Sequence, residues 1–215
     1  MSSTSRGGQR NEADYYPTPA WCVHRLLEAV SLPGGEWLEP AAGDGAIIRA
    51  VAEKRTDIRW TAMDIRPECK EPLNKLADPT QVFAGGWNFL DGHFGGCEFD
   101  VVITNPPFRL AMDFVMASLP CARFVAMLLR LNFLASEERS ELMRTNAPDV
   151  YVLPNRPSFV GGGKTDSIEY CWLVWPEERG RTSFTGKVLA STPAAERRSE
   201  SRIGTEEQPT LLGVD

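Results

Sequence analysis

Asn105, Pro106, Pro107 and Phe108 interrupt an apolar run, Phe99-Asp100-Val101-Val102-Ile103-Thr104, just before a segment of helical spacing from Leu110 to Ser118. Proline donates no N–H to a sheet, fixes its own φ and pushes the preceding residue out of the helical region, so the run reads as a strand that ends in a stiff loop holding one amide side chain. The chemistry such a loop offers is narrow. The Asn105 side-chain carbonyl and the Pro106 main-chain carbonyl are two acceptors that can bind both hydrogens of a planar amino group. An exocyclic amine on adenine is a poor nucleophile because its lone pair is delocalised into the ring. Two fixed acceptors would draw that nitrogen toward sp³ and aim its lone pair at an electrophilic methyl carbon, with no general base needed in the attack. Phe108 would stack on the base, a contact worth about 1–3 kcal/mol. The plainer alternative is a structural Pro-Pro turn.

Other stretches supply what a small ligand beside that loop would need. In Trp37-Leu38-Glu39-Pro40-Ala41-Ala42-Gly43-Asp44-Gly45-Ala46-Ile47 an apolar strand passes through small residues into a helix, which lets backbone N–H groups approach a ligand closely. The spacing is neither G-x-G-x-x-G nor a P-loop, so it suits a ligand wanting backbone contact and a nearby carboxylate more than a dinucleotide or nucleoside triphosphate. A tight strand-to-helix turn is the alternative. Asp64 follows roughly 20 residues later at the end of the next strand, where an acidic residue accepts hydrogen bonds from ribose hydroxyls; with Pro67 just beyond, it also fits a helix N-cap. Asn88 and Phe89 could read an adenine edge and cover its face, or form a turn and a core contact. Thr18-Pro19 fits an N-cap with proline at the first helical position. Phe159 stands near a cation, Arg156, and Gly161-Gly162-Gly163-Lys164 reads either as a phosphate-facing loop or as a plain hairpin loop. His24 and His93 have no carboxylate or cysteine pattern around them and read as structural or solvated; no nucleophilic triad or metal site is evident.

These residues must be positioned by a sheet. Short apolar runs at 37–39, 58–63, 81–84, 101–104, 124–129, 150–153 and 168–175 alternate with helical spacing at 20–30, 45–55, 67–76, 110–118 and 136–144, the last with Ser136 as N-cap and Glu137 and Glu138 in the first turn. The alternation predicts an α/β fold with a mostly parallel, seven-stranded sheet covered on both faces. The last two strands have no helix between them, so they should pair as an antiparallel hairpin at one sheet edge. Residues 1–13 and 177–215, rich in small, polar and charged residues, are expected to be disordered, leaving a folded domain over 14–176.

The chain has 215 residues, 42% hydrophobic and 24% charged, enough for one full core. Its apolar runs fall short of the roughly 18 residues that suggest a membrane span, and its first residues have no signal-peptide core. Five scattered cysteines, none in a C-x-x-C pair, read as reduced thiols in a cytoplasmic protein. The net charge of −6 argues mildly against a nucleic-acid partner. The charge is uneven, however: residues 1–104 carry 10 Lys/Arg against 15 Asp/Glu, and residues 105–187 carry 10 against 9.

Taken in order, the YPTP, EPAAGDG, MD, NFL, NPPF and RPSF motifs resemble the S-adenosylmethionine-dependent DNA adenine-N6 methyltransferases, and RPSFVGGGKTDSIEYCWLVW is similar to compact phage-encoded members. The resemblance covers residues 14–176. It implies a Rossmann-like class I methyltransferase fold with a reversed last strand, S-adenosylmethionine as cofactor, and adenine-containing double-stranded DNA as partner. It assigns Tyr16, Pro17 and Thr18 to the methionine moiety, Glu39, Ala41, Gly43 and Gly45 to the cofactor loop, Asp64 to the ribose, and Asn88 and Phe89 to the cofactor's adenine. Asn105, Pro106, Pro107 and Phe108 would carry catalysis. Phe159 would support the flipped base, with Arg156 and Lys164 facing the DNA. Position 88 is Asn where family members commonly have Asp. No separate target-recognition domain is visible, which implies sequence specificity that is short, loose or supplied by a partner.

Overall fold

The computed structural model describes residues 17–76, 80–92, 99–159 and 167–199. It contains one eight-stranded sheet in the order β3-β2-β1-β4-β5-β7-β6-β8. The strands are β1 (Gly35–Glu39), β2 (Ile58–Asp64), β3 (Thr80–Ala84), β4 (Phe99–Thr104), β5 (Ala122–Arg130), β6 (Asp149–Val152), β7 (Tyr170–Trp175) and β8 (Gly186–Val188). The helices are α1 (Ala20–Ala29), α2 (Ala46–Ala52), α3 (Lys70–Asn74), α4 (Ala111–Ser118), α5 (Ser140–Thr145) and α6 (Ala194–Ser199).

Side-chain alternation along the central strands builds two cores, one on each face. Trp37, Ala62, Val101, Ile103, Ala126 and Leu128 face α1, α2 and α3 through Leu26, Ile48, Val51 and Leu73. Their sequence neighbours Leu38, Met63, Val102, Val125, Met127 and Leu129 face α4 and α5 through Phe114, Val115, Leu142 and Met143. Buried tryptophans keep their N–H groups satisfied: Trp37 donates to the Pro33 carbonyl (3.0 Å), Trp172 to Cys22 (2.9 Å) and Trp175 to Asn146 (2.8 Å).

Strands β3, β2, β1, β4 and β5 run parallel, so their carboxyl ends meet along one rim. The expected antiparallel pair forms, Asp149–Val152 against residues 171–174, but it is not the sheet edge. Gly186–Val188 adds in parallel to β6, so the described residues form eight strands rather than seven, and part of the stretch expected to be disordered is ordered. Backbone bonds from Val150 to the Thr185 carbonyl (2.8 Å) and from Leu189 to the Val152 carbonyl (2.9 Å) hold this strand. Two caps also differ from expectation. The last predicted helix begins at Ser140, not Ser136, after a turn in which the Ser136 main-chain carbonyl accepts from Arg139 (3.3 Å). Pro19 is the N-cap of α1 and no side chain caps it, because Thr18 is engaged elsewhere. Among the described residues no helix is long and apolar enough to cross a membrane. Residues 1–16, with Tyr16, and residues 160–166, with Lys164, lie outside the described residues, as do His93 and Cys97.

Candidate functional site

The loop after β1 is shaped by two left-handed glycines. Gly43 (φ 58°) donates its N–H to Asp64 Oδ2 at 2.8 Å, tying this loop to the end of β2. Gly45 (φ 83°) starts α2, and a Cβ there would meet Leu76 Cδ1 at 2.8 Å. Its lack of a side chain is favoured by the left-handed backbone, and an added Cβ would also press on the tip of the Leu76 side chain, just past α3.

Asp64 is buried, and its carboxylate is fully engaged. Oδ1 accepts from the Arg66 N–H (3.0 Å) and Nε (2.9 Å), while Oδ2 accepts from Gly43 and from Arg66 Nη2 (2.9 Å). Burial opposes its ionisation, yet the Arg66 fork and the Arg66 and Gly43 amides hold its pKa below the usual carboxylate value. The helix-cap alternative is not realised, since Arg66 precedes the helical turn at Pro67–Cys69. Glu39 presents the opposite case. Burial, aided by the nearby Asp44 and Asp64 charges, raises its pKa well above the usual value, and its Oε2 has no hydrogen-bond partner among the described residues.

At the end of β4, Asn105 Nδ2 donates to Thr18 Oγ1 at 3.1 Å, across 87 residues of sequence. This bond draws Thr18, itself 6% exposed, away from capping α1. Pro106 is buried and Phe108 half-buried. The Phe108 ring lies 5.7 Å from Tyr170, which meets Phe159 edge-on at 5.0 Å. The Arg130 guanidinium sits 4.2 Å from the Phe108 ring centroid.

These groups surround a cavity of about 980 Å³. Of the residues singled out in the sequence, Pro17, Thr18, Glu39, Ala41, Gly43, Asp64, Asn88, Phe89 and residues 105–108 line it. Gly45, Arg156 and Phe159 do not line it. Phe159 is 6% exposed within the core, and exposed Arg156 pairs with Glu169. Asn88 also caps a short helical turn, accepting from Leu90 (3.2 Å) and donating to Asp91 (2.9 Å), and Phe89 packs on Phe114 at 5.6 Å. The local alternatives for this pair are therefore realised at the cavity wall. Sequence reasoning missed Arg66, Arg109 and Arg130, which also line it. Arg130 ends β5, so its place on the rim followed from the parallel order of the strands.

Among the described residues no group of His, Cys, Asp and Glu could hold a metal ion. The described cysteines are all buried, and burial pushes the Cys69 and Cys171 thiols up to about 12, far from a thiolate nucleophile.

No protein-family model matches the chain. A 91-residue stretch is 32% identical to the release factor glutamine methyltransferase of Vibrio cholerae, covering 40% of this chain and 31% of that protein. The chain thus spans about a third of the length of the curated relative it matches. Among solved structures, it resembles a modification subunit assigned to a type I restriction enzyme of Vibrio vulnificus YJ016, with a TM-score of 0.60 at 14% identity over 87% of this chain and 49% of that one. It also resembles the N-terminal domain of human METTL16 in complex with SAH, with a TM-score of 0.51 at 14% identity over 74% of this chain and 68% of that one. The fold is the Rossmann-like class I methyltransferase fold, with one more strand than expected.

Proposed function

We propose that this chain is an S-adenosylmethionine-dependent methyltransferase that modifies the exocyclic N6 of adenine in DNA after the base leaves the stack. The observation that carries the reading is Asn105, clamped through Nδ2 by Thr18 at the wall of a cavity that Glu39 and Asp64 also line. Clamping one end of the amide fixes the direction of the other, so Asn105 Oδ1, together with the Pro106 carbonyl, would form a preset pair of acceptors. They would take the two hydrogens of the amine and leave its lone pair directed across the cavity, stabilising the transition state more than the ground state.

The residues present fit the cofactor. About 980 Å³ is at the upper end of the range of small-molecule sites, and the orphaned Glu39 oxygen is matched to a ligand carrying positive charge. When bound, the cofactor supplies an electrophilic methyl group on a sulfonium centre. Glu39 and the Gly43 loop would hold its methionine end, together with Pro17, Thr18 and Tyr16. Asp64 would hold its ribose, and Asn88 and Phe89 its adenine. Phe108, backed by Tyr170, would stack on the target base, while Phe159 would act only by supporting Tyr170.

A protein glutamine amide is the second reading, favoured by the similarity to a glutamine methyltransferase; it too is a planar nitrogen that needs two acceptors. A competition assay separates them. Duplex DNA, an RNA hairpin and a glutamine-containing peptide are offered together with methyl-labelled cofactor. The expected product is N6-methyladenine in the DNA; label confined to the peptide would overturn the reading.

A further inference from the structure

The charges around the cavity are divided by β4. The carboxylates Glu39, Asp44 and Asp64 come from the β1 and β2 side. Toward β5 the charged lining residues are Arg109 and Arg130. The three lining arginines are not equivalent. Arg66, on the acidic side, is matched to Asp64 at 2.9 Å, whereas Arg109 and Arg130 pair with no carboxylate among the described residues. Arg109 is exposed at the turn following Phe108. Arg130 is half-buried, its Nε is buried without a hydrogen-bond partner among the described residues, and its guanidinium rests against the Phe108 ring. A partly desolvated cation with open donors is costly unless something supplies an anion.

We propose that Arg130 is a substrate-binding residue that grips a phosphate of the nucleic-acid strand beside the target base. This deepens the methyltransferase reading and rests on it. Arginine carries only donors, and so does the amine to be methylated, so Arg130 cannot serve the reacting group; its planar fork fits phosphate oxygens. The position explains a conflict at Phe108. The guanidinium now covers the ring on which the base would stack, and pairing with phosphate would draw it off and bare that ring. One side chain would thus couple backbone capture to base entry.

The test is binding of a fluorescein-labelled, adenine-containing oligonucleotide, read by anisotropy across a salt series, for wild type, Arg130→Gln and Arg130→Lys, each checked by thermal melting. Loss of one phosphate contact should weaken binding about tenfold for Arg130→Gln and flatten the log–log salt slope by about 0.7–0.9. Arg130→Lys should keep the slope. Cofactor affinity should be unchanged in both variants, since Arg130 lies on the opposite side of β4 from the carboxylates. Wild type that binds and methylates the oligonucleotide, with an unaltered slope in Arg130→Gln, overturns this proposal alone. Wild type that fails to bind any oligonucleotide and labels only a glutamine peptide overturns the underlying reading with it.

Discussion

Replacing Thr18 by valine tests whether the clamp on Asn105 matters to chemistry. Valine keeps the shape of a side chain that is 6% exposed but removes the acceptor 3.1 Å from Asn105 Nδ2. A buried hydrogen bond lost from one side costs about 1–3 kcal/mol. If that preference holds the amide in its productive orientation, the loss appears in the barrier, and at 1.36 kcal/mol per decade kcat falls about five- to 150-fold. Single-turnover methyl transfer to an oligonucleotide, at saturating cofactor, measures this directly, with cofactor affinity measured separately by calorimetry. Serine restores the oxygen, so Thr18→Ser should recover most of the rate, which a merely structural role for the threonine methyl would not allow. A Thr18→Val enzyme with kcat within twofold of wild type, or a serine variant as slow as the valine one, would refute the reasoning.

Other expectations follow from the charged residues and the glycine loop. Glu39 has a folded-state pKa raised above 4.5 by burial and by Asp44 and Asp64. The folded state is therefore favoured by keeping Glu39 protonated, an advantage fully present below about pH 4.5 and lost as pH rises toward the folded pKa. Glu39→Gln should melt higher than wild type at pH 7.5 and equally at pH 4, by scanning calorimetry, while binding cofactor more weakly; a lower melting point at pH 7.5 would contradict this. Arg66→Ala should free the Asp64 carboxylate and tighten cofactor binding about fivefold, corresponding to ~1 kcal/mol, whereas weaker binding would show that Arg66 supports the ligand rather than competing with it. Gly45→Ala should cost about 1–2 kcal/mol for a left-handed alanine, lowering the melting point by about 2–8 °C, with Leu76 shifting to admit the Cβ.

The central strands were legible because both cores draw on the same alternation: every residue of the runs at 37–39, 58–63 and 101–104 is apolar or small, apart from Arg59 and the polar residues near the strand ends. The Asn105 loop was legible for a local reason, since two prolines leave the chain few conformations. What escaped the sequence is long-range. Thr18 has every local feature of an N-cap, and only its distant bond to Asn105 decides otherwise. Asp64 carries the right residue type at the right strand end, but nothing in the spacing reveals that Arg66 folds back onto it. Gly186–Val188 is three exposed residues with no alternation to read; its strand character comes from β6 alone. Arg130 lies one residue past the apolar run at 124–129, and only the fold brings its guanidinium against the Phe108 ring.

The central claim is that Asn105 grips the amine that receives the methyl group. Asn105→Ala, saturated with cofactor and given an adenine-containing duplex, should bind cofactor as wild type does yet form N6-methyladenine at least about 100-fold more slowly, the scale on which losing one preorganised transition-state contact acts. Nucleoside analysis of the digested DNA reads the product. Undiminished N6-methyladenine from the alanine variant would contradict the account.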